Sequence, residues 1–341
     1  MKKSLMTLGV LALFVLMAYG QEKKFALYSV AFYNMENLFD TIHDEGKNDY
    51  EYLPNGTNQW NTMKYKAKLK NMSEILSLLS TDKLPMGPAI IGVSEIENYR
   101  VLEDILKQPA LADRGYQYVH YEGEDQRGVD CAFFYNPKLF ELTNSKLVPY
   151  VYINDTVHKT RGFLIASGNI AGEKMHFIVN HWPSRAAASP ARERAGEQVR
   201  AIKDSLLRED SAAKIVIMGD MNDDPMDKSM AVALGAKRKP VDAGPTDLYN
   251  PWWDTLKKGY GTLMYKGKWN LFDQIVFTGN LLGTDRSTLK FYKHEIFRRD
   301  FMFQKEGKYK GYPKRTQAGG VWLNGYSDHL PTIIYLIKEV K

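Results

Sequence analysis

A series of short apolar runs, each stopping at acids, amides or imidazoles, constrains this chain more than any other feature. Residues 26–33, 89–93, 129–135, 175–180, 214–218, 272–277 and 332–337 read as strands. Several are apolar throughout rather than alternating, as expected of strands covered on both faces. Helical periodicity runs over 62–79, where Leu69, Met72, Ile75, Leu76 and Leu79 share one face, and over 191–207. Strands covered on both sides, together with amphipathic helices, predict a layered α/β sandwich. The 341 residues, 12% of them aromatic, carry enough apolar surface for a large core and exclude a disordered chain. A disulfide scaffold is excluded because Cys131 is the sole cysteine; within its apolar strand it reads as an inert buried thiol.

The first twenty residues stand apart. Lys2 and Lys3 precede an almost wholly apolar stretch from Leu5 to Ala18, and Ala18-Tyr19-Gly20 forms a small-x-small cleavage signature. The stretch is shorter than the roughly 20 residues a bilayer span needs. The expectation is a signal peptide over 1–20 and an exported protein, periplasmic or secreted, with no stable membrane insertion after cleavage. Loss of the two lysines lowers the formal charge from +6 to +4, which permits an anionic partner without demanding one. From Phe25 onward no linker or repeat interrupts the pattern, so residues 21–341 are expected to form one domain.

Six segments carry the candidate chemistry: Asn34-Met35-Glu36-Asn37, Ser94-Glu95-Ile96-Glu97-Asn98, Asn180-His181-Trp182, Gly219-Asp220-Met221-Asn222, Phe272-Asp273-Gln274 and Ser327-Asp328-His329. Singly, each fits a turn, since Asp and Asn bond their own backbone. Glu95 follows an apolar run directly and must be paired or metal-bound, and Asp273 lies inside one and needs a donor such as a histidine. Oxygen ligands without cysteine suit a hard cation such as Mg²⁺, with Mn²⁺ as substitute, rather than zinc. Two histidines add donors to a phosphate oxygen or a proton shuttle. Carboxylates, a divalent ion and imidazole together fit phosphoester hydrolysis.

In their order along the chain, these motifs resemble the endonuclease/exonuclease/phosphatase superfamily, and its secreted bacterial nuclease-like branch in particular. Asn180-His181-Trp182-Pro183-Ser184-Arg185 and Arg127-Gly128-Val129-Asp130 carry the likeness to that branch. The resemblance implies a DNase I-like, four-layer α/β sandwich of two packed mixed sheets flanked by helices. It further implies that Glu95 binds the metal with Glu36 and Asp328 contributing, and that Asp220 orients or deprotonates the attacking water. Asn222 would steady the pentacovalent phosphate, and His329, held by Asp273, would contact the scissile phosphate. His181 would act at the leaving group or phosphate; apart from the resemblance, the amides of Asn34, Asn180 and Asn222 could orient oxygens without adding charge. The implied activity is Mg²⁺-dependent phosphodiester hydrolysis, with nucleic acid as the expected substrate. A sugar phosphate, inositol phosphate or phospholipid headgroup is the alternative, and a non-catalytic binding module a lesser one; no protein partner is implied.

Several basic residues keep two readings. Arg127 could clamp a phosphate or pair with Glu124 or Asp125. Arg185, Arg192 and Arg194 could form a phosphate-binding rim, or be a solvated helix start partnered by Glu193 and Glu197. Residues 293–315 hold eight Lys/Arg against three acids, interleaved with Phe297, Phe301, Phe303, Tyr309 and Tyr312. That composition suits a nucleic-acid surface, and equally an amphipathic insertion whose rings face the core.

Overall fold

The computed structural model describes residues 23–153, 155 and 157–340; the expected signal peptide lies outside them. The chain enters a first sheet through β1 (Lys24–Leu38), β2 (Ile90–Ile96), β3 (Gln117–His120) and β4 (Asp130–Tyr135). It then builds a second sheet from β5 (Glu141–Val148), β6 (Phe163–Ile170), β7 (Glu173–His181), β8 (Lys214–Asp220), β9 (Leu248–Tyr249) and β10 (Asp273–Thr278). Two last strands, β11 (Lys290–Ile296) and β12 (Thr332–Val340), return to the first. The orders are β11-β12-β1-β2-β4-β3 and β5-β6-β7-β8-β10-β9. Both sheets are mixed: β1 runs parallel to β2 and β7 parallel to β8, while the other pairings are antiparallel.

The continuous apolar runs have the meaning expected of them. Along β1, Val30 and Phe32 enter the core between the sheets, whereas Ala31 and Tyr33 enter a second core under the helices. Along β8, Val216 and Met218 point between the sheets and Ile215 and Ile217 outward to a third core. Helix α1 (Thr62–Leu78) covers the first sheet with Leu69, Met72, Ile75 and Leu76, alongside α2 (Tyr99–Leu106). Helix α3 (Ser189–Glu209) covers the second with Ala195 and Val199. The result is a four-layer α/β/β/α sandwich.

Local chemistry sets the helix starts. Asn61 accepts from Lys64 N at the head of α1, and Asn98 accepts from Arg100 N and Val101 N at the head of α2. Proline sits in the first turn of α3, where no intrahelical N–H is needed. Cys131 is buried, and burial pushes its thiol up, in keeping with an inert role.

Candidate active site

The polar segments converge because the parallel pairs β1/β2 and β7/β8 end on the same side of the sandwich, the usual place for chemistry in α/β sheets. In the second sheet His181 is in register with Asp220, and Asp220 with Asp273, so the three residues form one row across β7, β8 and β10. The first sheet faces this row with Asn34 and Glu95. Asn34 Nδ2 donates to Asp220 Oδ2 at 3.0 Å and to Glu95 Oε1 at 3.1 Å, tying the two sheets together. His329, just before β12, completes the group through a 2.7 Å contact of its Nδ1 with Asp273 Oδ2.

Backbone shape delivers these side chains. The β1–β2 register shifts after Asn34 and the β2–β4 register shifts after Ser94, so Glu36, Asn37 and Glu95 sit on bulges rather than in a regular ladder. Glu36, Asn37, Glu95 and Asn222 all adopt positive φ, between 45° and 58°, a conformation non-glycine residues rarely hold. Side-chain oxygens hold three of them through their backbone N–H groups. Asn34 Oδ1 accepts from Glu36 N, Glu95 Oε2 accepts from Asn37 N, and Asp220 Oδ1 accepts from Asn222 N.

Charge is arranged in opposite directions on the two histidines. Burial would push His329 down, but the carboxylates of Asp273 and Asp220 outweigh it and hold the imidazolium well above its ordinary range. His181 is pushed well down by burial and by the charges of Arg161 and Arg127, so it is neutral near pH 7. Burial also pushes the Asp220 carboxyl up to about 7, against the pull of His329. His329 Nε2 lies 3.8 Å from Asp220 Oδ2, and His181 Nε2 lies 3.6 Å from Glu95 Oε1 and 3.8 Å from Asp220 Oδ2.

The donor set fits a divalent cation. Ligand atoms of Glu95, His181 and Asp220 lie within 4.8 Å of one another. Among the described residues, Glu95 takes hydrogen bonds only from an amide and a backbone N–H, and the histidine nearest it is neutral. A carboxylate so placed beside a second one, with no lysine or arginine in direct contact among the described residues, offers a hard cation a position between them.

Other expectations are redistributed. Glu36 does not join this group. It is buried with one oxygen 2.8 Å from Arg315 Nε and the other accepting from Thr316 N at 2.7 Å, while its backbone N–H donates to Asn34 Oδ1. Asp328 meets the same guanidinium at 3.0 Å. Asn180 is wholly buried: its amide donates to Ile178 O and Met218 O, and its oxygen accepts from Trp182 Nε1. Asn222 stays at the rim, its amide on Trp182 O. Arg185 binds Asn222 O at 3.0 Å and Asp227 at 2.9 Å and packs on Phe272, so it braces the 222–227 loop. Arg127 is exposed and only loosely paired with Asp125, at 3.7 Å. Arg192 departs from the solvated reading, being buried 2.8 Å from Asp223, whereas Arg194 does meet Glu197.

Most of the basic-aromatic stretch folds onto the protein itself. Phe297 and Met302 are core residues, and Arg298 lies over Trp269, Phe303 and Tyr260. Arg315, which the sequence places only within the basic stretch, and Lys68, which it does not single out, both serve this part of the fold. Lys68 is wholly buried, bonded to Thr316 Oγ1 and Tyr326 O, and props the segment that carries Arg315. A lysine on the apolar face of α1 was its only signal.

A family model described as the Endonuclease/Exonuclease/phosphatase family matches residues 29–338. No curated protein matches in sequence. Among solved structures, an endonuclease/exonuclease/phosphatase family protein from Bacteroides thetaiotaomicron is similar at TM-score 0.57 and 14% identity, over 93% of this chain and 97% of that one. A mannosyl-6-phosphatase from the same species is similar at TM-score 0.56 and 14% identity, over 91% and 99%. D. rerio TDP2 complexed with a single-strand DNA product is similar at TM-score 0.52 and 14% identity, over 91% and 99%.

Proposed function

The chain belongs to the endonuclease/exonuclease/phosphatase family, a family of divalent-metal-dependent phosphoester hydrolases, and on that premise we propose that it hydrolyses a phosphoester with Mg²⁺ held at Glu95 beside Asp220. The observation that carries this reading is the row His181–Asp220–Asp273, closed by His329 and faced by Glu95. When bound, the cation would polarise a phosphoryl oxygen and offset the negative charge that grows there.

The protein's own groups supply the rest. Asp220, its Oδ1 fixed by Asn222 N and its Oδ2 by Asn34, is held in one orientation with a carboxyl near 7, suited to accept a proton from water. His329 uses Nδ1 on Asp273 and so presents Nε2–H, on a charged ring, toward a phosphate oxygen. Neutral His181 offers a second imidazole nitrogen beside the same carboxylates. Asp273 positions His329 and keeps it protonated. The leader expected from the sequence places this activity outside the cytoplasm in the same proposal.

The test is turnover of bis-p-nitrophenyl phosphate and p-nitrophenyl phosphate by purified protein, with Mg²⁺ and after chelation. Turnover restored by Mg²⁺ or Mn²⁺ is expected. Equal turnover in excess EDTA, or none under any condition, would sink the proposal.

A further inference from the structure

Beside Glu95 lies an open cleft of about 410 Å³, within the size range of small-molecule sites. Glu36, Asn37 and Arg315 form its inner edge; Glu95 does not itself line the cleft, but Asn37 N donates to Glu95 Oε2, so one residue of that edge touches the candidate metal ligand. Tyr52 and Tyr309 contribute ring surface. Tyr52 is stacked on Phe39 at 4.2 Å and therefore fixed in orientation. The outer lip is the turn through Gly319-Gly320 of a short hairpin, Gln317–Ala318 paired with Val321–Trp322.

We infer that this cleft receives the non-phosphate part of the substrate and that this part is a neutral polyhydroxylated ring, a sugar or a cyclitol. The inference rests on the phosphoester hydrolysis proposed above. Rings alone would suit a nucleobase equally well, since bases also stack on aromatic side chains. The charges decide. The lining carries one cation, Arg315, already bound to the carboxylates of Glu36 and Asp328, together with the acid Glu51. A nucleic-acid strand leaving the scissile phosphate through this cleft would bring several further phosphates to a lining whose one cation is already paired, with Lys308 over the Tyr309 ring the free charge at its rim, fewer cations than such binding requires.

What the wall does offer is hydroxyl recognition. The side chains of Asn37 and Gln317 make no hydrogen bond among the described residues, and both line the cleft. Each amide offers donors and an acceptor at once, which matches hydroxyl groups that are themselves both. Asn58 and Glu51, 3.4 Å apart, form a second amide–carboxylate pair on the same wall. Tyrosine surface then covers the apolar C–H face of a ring.

The test compares kcat/KM with Mg²⁺ for a hexose phosphate, an inositol monophosphate, adenosine monophosphate, a short single-stranded oligonucleotide and p-nitrophenyl phosphate. A hexose or inositol phosphate is expected to lead, and which one leads identifies the ring. In Tyr309→Ala and in Gln317→Ala, the ratio of kcat/KM for that substrate to kcat/KM for p-nitrophenyl phosphate is expected to fall about tenfold. Tyr309 is exposed and Gln317 half-buried, so neither change threatens the fold. Preference for the nucleotide or oligonucleotide, or an unchanged ratio in both variants, overturns the inference while hydrolysis of p-nitrophenyl phosphate upholds the hydrolase reading. No turnover of any ester overturns both.

Discussion

Asp220 and His329 are both buried, yet burial alone would discharge both; what separates them is the company each keeps. Asp273 and Asp220 hold His329 charged, while burial lifts Asp220 to about 7. The signs give a pH profile. Asp220 accepts a proton only when ionised, so kcat/KM is expected to fall as pH drops through about 7. His329 donates only when protonated, so the alkaline loss lies well above the ordinary imidazole range. Asp273→Asn removes the charge that sustains the imidazolium, and the alkaline limb of the profile should move to lower pH; an unmoved limb would refute that role. Asp220→Ala and His329→Ala should each lower kcat by about a thousandfold or more in protein with an unchanged circular dichroism spectrum. Near-wild-type rates would refute their assignments. Glu36, which the resemblance implies contributes to the metal site, meets Arg315, a partner far along the chain in a loop whose path no local pattern announces.

Among the elements, the central strands and the two long helices were readable because a strand buried on both faces cannot hide its composition. The expected helix at 62–79 forms as Thr62–Leu78, and that at 191–207 as Ser189–Glu209. β1 outruns its apolar stretch because its pairing with β2 continues to Asn34 and resumes at Leu38 after a bulge over residues 35–37. β5 was not readable: as an edge strand it is half exposed, and Glu-Leu-Thr-Asn-Ser-Lys-Leu-Val carries no continuous apolar signal. Close approach of β7 and β8 gives an element-level prediction. A Cβ at Gly219 would stand 2.3 Å from Asn180 O, which is backbone and cannot yield. A Cβ at Gly92 would meet the Met218 side chain, which can. Urea unfolding should show Gly219→Ala costing about 1–3 kcal/mol or more, and Gly92→Ala less. The reverse order would mean that the β7–β8 spacing is looser than described.

At the scale of the whole molecule, site and stability are linked through the cation. A ligand that binds only the native state raises its stability by about 2.7 kcal/mol at a hundredfold excess over Kd. Mg²⁺ should therefore raise the melting temperature of the wild type, and Glu95→Ala should abolish that rise. A rise that survives the substitution would locate the ion elsewhere. Charge was the least instructive global property. A balance of +6 looked compatible with nucleic acid, yet Arg298 and Arg315 are spent on the protein's own rings and carboxylates.

The placement of β12 carries a further consequence. Its residues pair with β1 from Lys24↔Val340 to Phe32↔Thr332, and the histidine of the site immediately precedes it. The first strand of the fold thus waits for the last, and a nascent chain has neither that pairing nor the His329 imidazole until synthesis is nearly finished. Chains ending before Ser327 would lack both the closing strand and His329, and are expected to hydrolyse no phosphoester.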